Sequence, residues 1–203
     1  MADYKDIEKV SRLEEIDLSG TYSYADYLKW EIDERLEIIK GKIFRMGPAP
    51  ASRHQRISSN LHIEIGYFLK NKLCSIYAAP FDVRFPRRSK DDKAIFTVLQ
   101  PDICIICDLS KIDKRGCIGA PDIVIEILSP GNNKKELKNK FEVYEEAGVS
   151  EYWILHPEEK TFLKYTLYAD GKYQPSRLLT LSDDVTSPVL PGFSLSLNEV
   201  FKN

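Results

Sequence analysis

The stretch Pro121-Asp-Ile-Val-Ile-Glu-Ile-Leu128 constrains this chain more than any other. It is apolar on both alternating faces, so it reads as a strand covered on both sides, central in its sheet. Ser129-Pro-Gly-Asn-Asn ends it and caps a helix from Lys134 to Ala147, which Gly148 stops. Glu151 to His156 supplies the next strand, around Tyr-Trp-Ile-Leu. A strand–helix–strand unit beside antiparallel neighbours implies an α/β fold, with a mixed central β-sheet flanked by helices.

Those neighbours are legible on either side. Thr21 to Trp30 predicts a short helix, with Tyr24, Tyr27 and Leu28 at helical spacing. Leu36 to Met46 predicts a β-hairpin turning at Lys40-Gly41, and Pro48 and Pro50 break the chain after it. From Ser52 to about Lys72, Ile57, Leu61, Ile65 and Phe68 make one apolar helical face. Ser75 to Phe85 is strand-like, Arg87 to Lys93 is a charged loop, and Val98 to Cys107 is a strand containing Pro101. Asp108 to Gly119 is a polar connection. Phe162 to Tyr168 and Lys172 to Leu181 pair around Asp170-Gly171, and Pro191 to Leu197 offers one more short strand or turn. There are no internal repeats. The length of 203 residues suits one domain, residues 21–203, preceded by a charged N-terminal arm, 1–20.

The net charge is −2, so any surface that meets nucleic acid must be a local basic patch. Arg84, Arg87, Arg88 and Lys90, with Lys134, Lys135 and Lys138, are candidates for backbone contacts, though charge runs of this kind are commonly solvated faces. Cys104 and Cys107 form a C-x-x-C inside an apolar run, without a second such pair or a His pair at finger spacing. They read, with Cys74 and Cys117, as structural thiols rather than a metal or redox site. Reduced thiols and an N-terminus without an apolar signal core point to the cytoplasm. No run of apolar residues is long enough to span a membrane.

Three charged residues break the local rules. Glu126 sits within the most apolar strand, where an unpaired carboxylate is costly unless protonated, paired or bound to a cation. Asp102 opens the preceding strand, and with Glu126 it forms a carboxylate pair able to converge on a hard divalent ion such as Mg²⁺. Asp122 lies on the same strand as Glu126 at roughly 13 Å, too far to share that ion, and reads as structural. Lys140 falls within the helix arc of Leu137, Phe141, Val143, Tyr144 and Ala147. Either it snorkels outwards, or its ammonium lies near Glu126, to hold or deprotonate a water and stabilise phosphoryl charge.

The same residues carry a resemblance. Gln100-Pro-Asp-Ile, Ala120-Pro-Asp-Ile-Val-Ile-Glu-Ile-Leu-Ser-Pro130, Lys140 with Tyr144, and Gly148-Val-Ser-Glu-Tyr-Trp153 resemble the Uma2 family, also called DUF820. Leu36-Glu-Ile-Ile-Lys-Gly-Lys-Ile, His54 and Leu190-Pro-Gly-Phe-Ser-Leu195 extend the likeness over roughly residues 25 to 200. That family is grouped with restriction endonucleases of the PD-(D/E)XK superfamily. The resemblance implies a restriction endonuclease-like core with extra N- and C-terminal hairpins and Mg²⁺-dependent hydrolysis of DNA phosphodiesters, with Mn²⁺ as a substitute. It maps the metal-binding acids to Asp102 and Glu126. The superfamily's lysine would fall at 128, where this chain has Leu128, and Lys140 stands in for it. Glu37 matches an acidic position of the first hairpin, and His54 either contacts a phosphate or opens its helix. Asp82 and Glu64 are weaker candidates. By analogy with enzymes that cut two strands, a homodimer is expected.

Three rivals predict different surroundings. A catalytically degenerate nuclease fold, serving as a DNA-binding or regulatory module, would close Glu126 and Lys140 into a salt bridge without a cleft. A hydrolase of small substrates would have a narrow pocket without basic residues around it. An interaction protein would gather exposed Tyr and Trp into a patch.

Overall fold

The computed structural model describes residues 9–47, 51–129 and 134–202, with backbone alone for 134–136. The breaks expected at Pro48 and Pro50, and all but Ser129 of the Ser129–Asn133 cap, lie outside these residues. Helix α1 is Tyr24–Tyr27, and Ser23 begins it with a reciprocal bond to Asp26. Strands β1 (Leu36–Ile39) and β2 (Lys42–Arg45) form the expected hairpin. Its turn needs positive φ at both Lys40 (50°) and Gly41 (80°), which is why a glycine stands there. Helix α2 is Ser52–Leu69, followed by β3 (Ser75–Ala78), β4 (Val83–Arg84), β5 (Val98–Leu99) and β6 (Ile103–Ile106). The polar connection folds into β7 (Ile112–Asp113) and β8 (Gly116–Ile118). Then come β9 (Ile123–Ile127), α3 (Lys134–Ala147), β10 (Glu151–His156), β11 (Thr161–Leu167), β12 (Tyr173–Pro175), β13 (Asp184–Thr186), β14 (Ser194–Ser196) and α4 (Leu197–Phe201).

Among the described residues these strands form two six-stranded mixed sheets and one short pair, β13–β14. One large sheet has the order β12-β11-β10-β9-β6-β3, with β9 and β10 parallel as the strand–helix–strand unit requires. The other has the order β2-β1-β5-β4-β8-β7. Two segments that read as single strands are each divided between the sheets. Ser75–Phe85 turns at Pro80 from β3 to β4, and Val98–Cys107 turns at Pro101 from β5 to β6. Proline donates no N–H to a ladder, so both prolines stand where pairing is handed over.

The alternation along β9 builds a core on either side. Ile123, Ile125 and Ile127 pack with Ile57, Leu61 and Ile65 of α2 and with Val200 and Phe201 of α4. Val124 faces the opposite core, with Val143 and Tyr144 of α3 and with Val83 and Leu99 of the second sheet. Glu126 shares the parity of Val124, so pleating directs it into the space between α3 and the second sheet. Ahead of α1, Leu13 and Ile16 pack on Leu36.

The cysteines need one correction. Ser75 pairs with Ile106, and one step further Cys74 is disulfide-bonded to Cys107. These two are therefore not free thiols, because antiparallel pairing sets their side chains on one face. Cys104 and Cys117 are buried and free, and burial pushes the Cys117 thiol up to about 11. That is the wrong direction for a reactive thiolate. Among the described residues no helix is long and apolar enough to cross a membrane.

Candidate active site

The site lies where β9 ends beside β6, β1 and α3. Ile103 of β6 pairs with Ile125 of β9, so the next step of the antiparallel register sets Asp102 opposite Glu126. Opposed residues share a face, and the two carboxylates share this one. Asp102 is anchored through one oxygen: Oδ2 accepts the Ile127 N–H at 2.8 Å and lies 3.2 Å from His54 Nε2. Among the described residues its Oδ1 accepts nothing, and its side chain keeps 21% exposure.

Glu126 is nearly buried, and its Oε1 accepts from Lys140 Nζ at 3.0 Å and from Tyr144 Oη at 2.7 Å. Its Oε2 accepts from no described residue. Lys140 also lies 3.1 Å from Glu37 Oε1, which accepts the Gln100 N–H at 3.0 Å. The snorkelling alternative for Lys140 therefore does not hold, since its side chain is only 6% exposed and its ammonium sits between two carboxylates.

Burial raises the Glu126 carboxyl, with Asp102 and Glu37 adding to the rise and Lys140 opposing it. For Lys140 burial works towards the neutral amine, but Glu126 and Glu37 outweigh it and hold it as an ammonium. In that form Lys140 is a hydrogen-bond donor and a positive charge held between the two carboxylates. Burial and the facing carboxylates raise Tyr144 well above its usual range, which keeps it a hydroxyl donor. Burial pulls His54 down, and the Asp102 carboxylate, the Ile127 carbonyl and Glu126 more than reverse it.

Around this cluster, Gln100 donates through Nε2 to Asp82 Oδ1 at 2.8 Å and accepts at Oε1 from Arg35. Tyr24 Oη bonds Asp82 Oδ2 at 3.1 Å. Asp82 thus supports Gln100 rather than joining the carboxylates. Asp122 accepts the Cys107 N–H at 2.7 Å, as befits a structural residue, and Glu64 is exposed on α2. A hollow of about 330 Å³ opens beside the cluster, lined by His54, Leu128, Leu137 and His156 among others.

Five residues named from the sequence, Glu37, His54, Asp102, Glu126 and Lys140, are thus brought together. Tyr144 and Gln100 were missed. Tyr144 had a signal, because it follows Lys140 by one helical turn on the same face; the Gln100 contribution is a backbone N–H, which no residue type announces. Among the basic candidates, Arg84 is overturned. Pairing of β4 with β8 leaves it fully buried, its Nη2 bonds Asp113 at 2.6 Å and its Nε bonds the Cys117 carbonyl at 3.2 Å. Arg87 is exposed but paired with Glu146, and the side chains of Lys134 and Lys135 lie outside the described residues.

Among the described residues no set of three or more His, Cys, Asp or Glu side chains is arranged to hold a metal ion. What the site offers is two carboxylates, each with one oxygen occupied by protein donors and one that accepts from none among the described residues. That all-oxygen pair fits a hard cation such as Mg²⁺, which ordinarily takes one or two carboxylates and fills its other positions with water and phosphate oxygens.

The chain is similar in structure to a protein from Anabaena variabilis ATCC 29413 described as a "putative nuclease belonging to DUF820". The TM-score is 0.69 at 21% identity, over 89% of this chain and 97% of that one, which establishes the shared fold. Among curated proteins none matches. The profile of Uma2, described as "Putative restriction endonuclease", matches residues 24–198. With that match spanning both sheets and every residue of the cluster, the chain belongs to the Uma2 family.

Proposed function

We propose that the protein is a metal-dependent endonuclease that hydrolyses DNA phosphodiester bonds. One observation carries this reading: Asp102 and Glu126 are opposed across β6 and β9, and a buried ammonium lies 3.0 Å from one of them. Asp102 and Glu126 would hold Mg²⁺ or Mn²⁺, which when bound supplies a Lewis acid for the phosphate and lowers the pKa of water. Lys140 orients the attacking water and offsets charge developing on the phosphoryl oxygens. Glu37 and Tyr144 hold Lys140 and Glu126 in place, and His54 fixes Asp102 while facing the hollow through which a phosphate would arrive.

A second reading keeps one observation in its favour. Lys140 and Glu126 do form a buried salt bridge, as a catalytically degenerate DNA-binding or regulatory module would have it. The partial exposure of Asp102 and the adjoining hollow favour the active enzyme. Cleavage of both strands calls for a homodimer, which sedimentation of the protein on DNA would test. A cytoplasmic location goes with a DNA substrate, although the Cys74–Cys107 bridge removes two of the four reduced thiols on which half of that expectation stood. The reading is tested by plasmid and single-stranded DNA cleavage with Mg²⁺ or Mn²⁺. Metal-dependent cutting supports it, and binding without cutting under every condition favours the degenerate module.

A further inference from the structure

The segments that flank the site carry a basic feature that the candidate lysines and arginines of the sequence did not include. Arg53 and Arg56 of α2, Lys160 in the turn between β10 and β11, and Lys202 beyond α4 line one depression of about 410 Å³, floored by Ile57 and Phe201. Three distant stretches of a chain with net charge −2 thus bring four cations and no carboxylate to its wall. Arg53 is paired with Glu158 at 2.9 Å, and Lys202 with Glu199, with Glu64 also acting on it. Among the described residues Arg56 and Lys160 have no ion-pair partner.

The local sequence is also wrong for an isolated helix. The positive end of α2 has Ala51 at its cap without a side-chain bond, no acidic residue in the first turn, and arginines at 53 and 56. Cations at that end oppose the helix dipole, so the arrangement costs stability unless an anion is present. Arg53 lines this depression and also the hollow beside His54, so the two are neighbours across the first turn of α2.

We propose that this depression binds a backbone phosphate of the DNA that flanks the scissile one, with Arg56 and Lys160 as its main contacts. The proposal rests on the nuclease reading for its choice of DNA, but its test does not depend on cleavage. Binding of a short fluorescein-labelled DNA duplex is measured by anisotropy in EDTA, over a range of salt, for wild type, Arg56→Glu/Lys160→Glu and Arg56→Ala/Lys160→Ala. A charge-matched control, Lys93→Glu/Lys114→Glu, alters exposed lysines elsewhere on the surface. The glutamate pair is expected to weaken binding roughly tenfold or more and to flatten the log K against log salt slope by roughly one, with the alanine pair intermediate in affinity. Unchanged affinity and slope, an equal loss in the control, or no binding by the wild type at low salt would each overturn it. Hydrolysis of bis(p-nitrophenyl) phosphate separates the two claims, since that small diester needs only the carboxylate cluster. If the wild type with Mg²⁺ or Mn²⁺ fails to hydrolyse it, the nuclease reading is in trouble, while the anisotropy result still decides the phosphate site.

Discussion

Lys140 Nζ lies 3.0 Å from Glu126 Oε1, although the two residues stand fourteen positions apart on different elements. The strand supplies a nearly buried carboxylate, and the helix that follows supplies the cation that makes its burial tolerable. Removing the cation alone leaves Glu126 and Glu37 buried together without a counter-charge. Lys140→Met is therefore expected to lower stability by about 3 kcal/mol or more, read by denaturant unfolding. Glu37→Gln should cost less, because Lys140 keeps Glu126. A Lys140→Met protein as stable as wild type would show that the ammonium is not held where the geometry has it.

Ala51 leaves the first N–H groups of α2 without a side-chain acceptor. Ala51→Asp should stabilise the protein by about 1 kcal/mol, through both the cap and the dipole. The same carboxylate should weaken DNA binding at the neighbouring depression. Thermal melts and anisotropy on one variant read both effects, and a gain in stability with no loss of affinity would separate helix capping from DNA recognition.

Thiol counting tests the pairing of Cys74 with Cys107. In denaturant without reductant, two thiols, those of Cys104 and Cys117, should react with a maleimide, rising to four after reduction. Four reactive thiols before reduction, in protein purified under air, would contradict the bridge.

Glu151 is buried, accepting from Trp153 Nε1 at 2.7 Å and Ser187 Oγ at 3.0 Å. Burial raises its carboxyl above the ordinary 4.5, in spite of Lys164 and these donors. In that window the folded state binds more protons than the unfolded one, so stability falls as pH rises through the folded pKa. Glu151→Gln removes this dependence while keeping an acceptor for Trp153. Its melting temperature relative to wild type should climb between about pH 4 and about pH 8. A constant difference across that range would mean the carboxyl is not shifted upwards.

The strand–helix–strand unit was legible because its signals are local: an apolar run, a helical arc and Gly148 at the helix end, where φ is 85°. The cluster was legible for the related reason that Glu126 and Lys140 violate burial rules within those same elements. The handover of strands between two sheets was not, since Ser75–Phe85 and Val98–Cys107 alternate and extend as single strands would, and only the distant partners decide where each half pairs. Arg84 was misplaced for that reason: nothing in its neighbourhood says that β8 will cover it. The Cys74–Cys107 pairing likewise depends on the register of β3 against β6 rather than on cysteine spacing.

The most direct test of the proposed chemistry is Asp102→Asn, because Asp102 is partly exposed and the amide can retain its contacts with His54 and the Ile127 N–H. Plasmid cleavage is measured for wild type and variant with Mg²⁺, with Mn²⁺ and with EDTA, alongside unfolding curves. Metal-dependent cleavage by the wild type, falling by roughly a hundredfold or more in a variant of near-wild-type stability, is the expected result. Equal cleavage by the two proteins, or wild-type cleavage that persists in EDTA, would contradict it.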